Sequence, residues 1–122
     1  MAGKNTGRKL IWVTFQRKGY HYYPGAPEDV NYLQDRHRHL FKFKVTVEVF
    51  HDNRELEYHQ FQNKIESWYD SGSLDLDHKS CEMMADDLYL RLVEEYSCGT
   101  PRELRIDVSE DGECGSECYY TL

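Results

Sequence analysis

Two histidines separated by one residue, His37 and His39, stand at the start of a long alternating segment. From Phe41 to Val49 every odd position is apolar, while the even positions carry Lys, Thr or Glu. This pattern is typical of a half-buried β-strand. Both histidines share the parity of Phe41, so their imidazoles are expected on one face of the strand. At that spacing one metal ion can take a nitrogen from each ring.

A third histidine, His21, follows an earlier strand-like run and could return to the pair on a neighbouring strand. Three histidines with an open fourth position are typical of a catalytic zinc site, because the open position admits water or substrate. The alternative interpretation is that a chain with six histidines contains a chance pair on an ordinary strand face. The spacing predicts zinc bound by His21, His37 and His39, and leaves this alternative open.

Glu110 is a candidate for ligand binding. It continues the apolar parity of Leu104, Ile106 and Val108, and a carboxylate on the inward face requires a partner. A ring with two adjacent N–H groups, such as guanine or a pterin, would engage both carboxylate oxygens. The alternative is that the strand has ended and that Glu110 faces water beside the turn residue Asp111.

Asp77 and His78 could form an acid and imidazole couple for proton transfer, or could simply belong to a loop before a helix. Glu82 lies in the first turn of that helix, where a carboxylate complements the helix dipole. Basic residues near the histidines could bind a phosphorylated ligand, or could form the solvated face of the sheet. They are Arg17, Lys18, Arg36, Arg38, Lys42 and Lys44.

The strands and helices that must position these residues indicate an α+β fold. Strands are expected over residues 10–16, 37–50, 104–110 and 118–122, a short helix over 27–34, and two longer helices over 61–69 and 81–96. The order of the main elements is strand, strand, helix, helix, strand, strand. It predicts a four-stranded antiparallel sheet with both helices on one face.

The length of 122 residues predicts one domain over 10–122, preceded by a disordered tail over 1–9. The net charge of −7 argues against nucleic acid as a partner. The chain lacks an apolar run of membrane-spanning length and a signal-peptide pattern, so a cytoplasmic protein without a membrane partner is expected. In that compartment free thiols are expected at Cys81, Cys98, Cys114 and Cys118.

These motifs, in this order, resemble the 6-pyruvoyl- and 6-carboxy-tetrahydropterin synthase family, which has the tunnelling fold. That family binds zinc through an upstream histidine and a His-Gly-His pair. The matching residues here are His21, His37 and His39, with Arg38 in place of the glycine. The resemblance extends over nearly the whole chain, from residue 10 to residue 120.

Two further motifs carry the resemblance. Ser80-Cys-Glu-Met-Met-Ala85 is similar to the family's Thr-Ser-Glu-Asn-Leu-Ala helix start, which places Glu82 on its glutamate. Ile106-Asp-Val-Ser-Glu110 looks like its third strand, whose terminal glutamate anchors the pterin. One departure is that the family's catalytic cysteine falls here on Leu33.

The resemblance implies zinc, a pterin or purine-nucleotide ligand, and a homohexamer whose sheets join edge to edge. One hypothesis is a zinc-dependent carbon–oxygen lyase that acts on a pterin triphosphate, with Glu110 holding the ring and His78 and Asp77 moving protons. The alternative is a non-catalytic protein that sequesters a purine nucleotide or pterin, as some phage-encoded proteins do. A third hypothesis is an oligomeric structural protein without a ligand.

Overall fold

The computed structural model of the chain describes residues 7–97 and 99–122. Most of the predicted tail, residues 1–6, and the predicted free thiol of Cys98 lie outside the described residues. In chain order the elements are β1 (Lys9–His21), a 3-10 helix (Glu28–Gln34), β2 (His37–Val49), α1 (Tyr58–Glu66), β3 (Leu74–Asp75), α2 (Cys81–Tyr96), β4 (Glu103–Glu110) and β5 (Cys114–Thr121). None of the described helices combines the length and apolar character that crossing a membrane requires.

The strands form one mixed five-stranded sheet in the order β3-β1-β2-β4-β5. Only the pairing of β3 with β1 is parallel; the other three pairings are antiparallel. The α+β class is confirmed, but the sheet has one strand more than predicted. The additional strand is β3, which lies between the two longer predicted helices, where no strand was predicted, and pairs with Gly19 and Tyr20. Two residues are too few to show an alternating pattern.

Strand β1 extends five residues beyond its predicted end at Gln16 and reaches His21. Arg17 and Gly19 occupy positions where the alternation requires apolar residues. The alternating pattern therefore does not predict the last part of the strand. A Cβ on Gly19 would lie 2.8 Å from Leu76 Cδ1 and within 3.0 Å of a core aromatic ring. This extension matters for the site, because it carries the chain to a position beside the histidines of β2.

Both α-helices pack on the same face of the sheet. Ser80 caps α2, because its Oγ accepts the Met83 backbone N–H at 3.2 Å. The core is formed by inward positions of the strands and one side of each helix, chiefly Val13, Phe15, Phe41, Phe43, Val45, Val47, Phe61, Ile65, Met84, Ala85, Leu88, Leu92, Leu104, Ile106 and Val108. The apolar side chains on the helix-covered face of the sheet therefore end next to the histidines.

Substitution of Gly115 tests the close approach of β4 and β5. A Cβ at this position would lie 2.2 Å from the Val108 carbonyl oxygen and 2.6 Å from Ser109 Cα. Backbone atoms cannot yield without disturbing the strand pairing, so Gly115→Ala should lower the free energy of unfolding by about 1–3 kcal/mol. Gly72→Ala is the control, because nothing lies within 4 Å of its added Cβ. Equal urea midpoints for the two variants would contradict the predicted strain.

Candidate metal centre

Three strands bring three histidines and one glutamate together at one end of the sheet face that the helices cover. His21 pairs with His37 across β1 and β2, and His39 lies two residues further along β2. Glu110 ends β4, where it pairs with Phe41. One potential ligand atom from each of His21, His37, His39 and Glu110 lies within 4.8 Å of all the others. These four residues form a group that could hold a metal ion.

Each imidazole directs its Nδ1 atom at an oxygen that can only accept a hydrogen bond. The pairs are His21 with the Lys79 carbonyl at 2.8 Å, His37 with the Asp35 carbonyl at 2.8 Å, and His39 with Asp111 Oδ2 at 2.7 Å. The Nδ1 atoms therefore carry protons, and in a neutral ring this leaves the Nε2 lone pair for a metal. Metal-binding histidines are held in this way in characterised metal sites.

The contact between His39 and Glu110 also fits a shared cation. His39 Nε2 lies 2.8 Å from Glu110 Oε2, and His21 Nε2 lies 3.8 Å from the same oxygen. Although His39 Nε2 is buried, it has no partner with hydrogen-bond geometry among the described residues. Two ligands of a tetrahedral zinc ion are about 3.3 Å apart. The two observed separations lie on either side of this value.

Glu110 continues the inward parity of β4, as the sequence predicted. Its side chain is about one quarter exposed (27%) and still belongs to β4, so it is not a solvated turn residue. The sequence predicted a ring ligand for its two oxygens, and the structure adds that Oε2 lies among the imidazoles. The donor set becomes three nitrogens and one oxygen, which suits zinc and neighbouring divalent transition metals.

A cavity of about 650 Å³ opens beside this group. Its wall includes His21, His37 and Glu110 from the sheet, and Glu82 from the first turn of α2. Leu33 also lines it. A ligand in this cavity would lie next to the metal group, with apolar and acidic surfaces around it.

Asp77 and His78 lie in contact, and His78 lines the cavity. Asp77 Oδ2 is 3.2 Å from His78 Nδ1, and the Tyr22 hydroxyl donates to Asp77 Oδ1 at 2.8 Å. The hydrogen bonds from Tyr22 and then from His78 hold the pKa of Asp77 below its usual range. Asp77 adopts a left-handed backbone conformation (φ 54°), and its two oxygens have different partners. The predicted acid and imidazole couple is therefore present in the geometry.

Arg38 is not brought to the cavity within one chain. It is exposed and pairs with Tyr20 in the sheet, one residue out of phase with the histidines, so it lies on the opposite face. Other basic candidates have different partners as well: Arg17 pairs with Glu66, Arg36 with the Tyr20 ring, and Lys44 with the Trp12 ring. Lys79 lines the cavity, but its Nζ atom is paired with Asp87.

Two residues at the site were not assigned a role by the sequence. Cys81 begins α2 and lines the cavity, where burial raises the pKa of its thiol to about 12. It is a free thiol, as are Cys114 and Cys118. Asp111 was predicted only as a turn residue, but it accepts from His39; the Leu40 N–H and then His39 hold its pKa below the usual range. The only feature of the sequence that could have indicated this role of Asp111 is a short polar residue directly after a strand.

No protein-family model matches this chain, and a comparison with curated proteins finds no significant match. The converging imidazoles, Glu110 and the adjoining cavity are the features that bear on function.

Proposed function

We propose that this chain is a zinc protein of the tetrahydropterin synthase type, with the tunnelling fold, and that it binds a pterin or purine ring in the cavity beside the metal. The observation that carries the proposal is the arrangement of the three imidazoles, each held by its Nδ1 atom. The two long strands, two helices and final hairpin support the proposed fold, to which this chain adds β3.

His21, His37, His39 and Glu110 are the proposed zinc ligands, since their ligand atoms converge. Because the four protein ligands would fill a tetrahedral shell, bound zinc would act as a Lewis acid on a side-chain oxygen of the ligand only by taking that oxygen as a fifth ligand. His78 is the proposed proton carrier: Asp77 holds its Nδ1 atom, which leaves Nε2 for the ligand. The second oxygen of Glu110, together with Glu82, remains for the N–H edge of the ring.

Native mass spectrometry of the freshly purified full chain tests this proposal in one measurement. The expected result is a homohexamer with one zinc ion per chain and a pterin or purine carried through purification. Edge-to-edge joining of sheets would produce such a closed ring. A zinc-free monomer would contradict both the metal site and the proposed family.

A second candidate function is a non-catalytic protein that sequesters the ring. The lack of a reactive thiol in the described cavity wall favours this candidate. Leu33 replaces the family's cysteine, and the raised pKa of Cys81 keeps its buried thiol protonated at neutral pH. The described part of the cavity wall therefore offers no thiolate as a base. The ring pocket and the metal are common to both candidates, and turnover separates them.

Turnover of dihydroneopterin triphosphate by the zinc-loaded chain provides the test. If the chain is a lyase, His78→Gln should lower kcat by about 10²–10⁴-fold, because a positioned proton carrier is lost. Zinc content should not change, since His78 is not in the metal group. If the chain sequesters its ligand, both proteins should retain the ring and release no product. Equal turnover by the two proteins would contradict the role assigned to His78.

A further inference from the structure

We propose that Asp111 is the positioning residue of the metal centre: its carboxylate holds the Nδ1 proton of His39 and thereby presents Nε2 to the metal. This inference rests on the proposed zinc binding and assigns no ligand role to Asp111 itself. Asp111 does not belong to the group of converging ligand atoms. It acts through His39, at a distance of 2.7 Å from Oδ2 to Nδ1.

Asp111 is attached firmly to the strand that carries His39. Its Oδ1 atom accepts the backbone N–H of Leu40 at 2.8 Å, and its own N–H donates to the Leu40 carbonyl at 2.8 Å. Leu40 is the residue next to His39 on β2. The carboxylate is therefore fixed relative to the ring that it orients, and its two oxygens are divided between one backbone donor and one imidazole.

The turn between β4 and β5 explains why an aspartate can occupy this position. Asp111 and Gly112 both have left-handed backbone conformations, with φ of 59° and 72°. Asp and Asn tolerate this region better than most residues other than glycine. Glu110 directly precedes the turn, so one short segment provides both a proposed zinc ligand and the acceptor that orients another.

His39 also differs from the other two histidines in the nature of its acceptor. His21 and His37 direct their Nδ1 atoms at backbone carbonyls, whereas His39 uses a carboxylate. A carboxylate partner fixes the tautomer and raises the basicity of the ligand nitrogen more strongly than a neutral acceptor. Among the three described acceptors, it is also the one that a side-chain substitution can remove.

Zinc affinity of the full chain, measured by competition with a chelator, tests this role. Asp111→Asn keeps a residue that tolerates positive φ, but an amide has only one acceptor oxygen to share between Leu40 and His39. We expect zinc binding to weaken by about 10–100-fold, the usual effect of losing such a partner. Asp111→Gly, which suits the same backbone, should weaken it at least as much and serves if the Asn variant does not fold.

Glu113→Gln is the matched control, because it removes one negative charge from the same turn, Glu113 is exposed, and the ion pairs of the described histidines do not include it. Its zinc affinity should equal that of the wild type. In the zinc-loaded proteins, NMR should also show faster solvent exchange of the His39 Nδ1 proton in Asp111→Asn than in Glu113→Gln.

The outcomes separate this role from the proposed function. Wild-type affinity in both Asp111 variants, in a chain that binds zinc, would overturn the role of Asp111 and leave the metal site intact. Equal weakening in Glu113→Gln would also overturn it, since general charge loss would then account for the effect. A wild-type chain that binds no zinc would overturn both.

Discussion

Replacing His37 with alanine is expected to weaken zinc binding by roughly 10²–10³-fold. Four-ligand structural zinc sites contribute about 10–16 kcal/mol in total. One ligand of four then accounts for about 2.5–4 kcal/mol, at about 1.4 kcal/mol per tenfold change in affinity. His37 suits this test because it is partly exposed at the start of β2, so its removal should disturb the core little. Chelator competition measures the affinity, and thermal unfolding of the metal-free protein checks the fold.

His59→Ala is the matched control for this prediction. His59 is exposed on α1 and is not a member of the metal group. Its loss should leave zinc affinity unchanged, so a general effect of removing a histidine can be separated from loss of a ligand. If His37→Ala retained wild-type affinity, the ion would have to be bound without this ring, and the four-ligand centre would be wrong.

Long regular elements were predictable because their patterns are strong. Strand β2 was predicted over 37–50 and spans His37–Val49, while α2 was predicted over 81–96 and has those bounds. The end of β1 was not predictable from alternation, since Arg17 and Gly19 occupy inward positions. Those positions are tolerated because Arg17 reaches the main chain of Asp70 and Gly19 packs beneath Leu76. Both reasons depend on contacts distant in sequence.

Strand parity accounted for the direction of the site residues, but not for their partners. The odd positions of His37 and His39 do place both rings on the face of Phe41. The same rule would have placed Arg38 on the opposite face, where the structure has it. The position of Arg38 therefore follows from a pattern that was already visible in the sequence.

The acceptors that orient the imidazoles could not be predicted from the sequence. Asp111 is 72 positions from His39, and Lys79 is 58 positions from His21. Only the register of the strands and the turn between β4 and β5 bring these groups within hydrogen-bond distance. The contact between Asp77 and His78 likewise belongs to the folded loop, in which Asp77 has a left-handed backbone. Residue types and strand parity therefore indicated which side chains converge, and the fold determined how they are held.

Phe41 connects the hydrophobic core to the candidate metal site. Its side chain is fully buried, and its ring packs against His21 and His39 at centroid distances of 5.1 and 5.6 Å. Phe41→Ala should lower the free energy of unfolding by about 3–5 kcal/mol. It should also weaken zinc binding on the order of tenfold, because the cavity beneath the two rings lets the ligands move from their positions. Phe41→Leu, a smaller change, should show both effects in the same direction.

Phe43→Ala separates the two effects, because Phe43 is equally buried but contacts Phe15 and Tyr69 rather than the histidines. Its loss of stability should match that of Phe41→Ala, since both variants remove the same buried ring. Zinc affinity of the folded protein should stay at the wild-type value in Phe43→Ala and fall only in Phe41→Ala. Urea unfolding of the metal-free proteins and chelator competition at low temperature measure the two quantities independently. An equal fall in affinity in both variants would show that zinc binding follows overall stability, and that Phe41 has no separate role in supporting the rings.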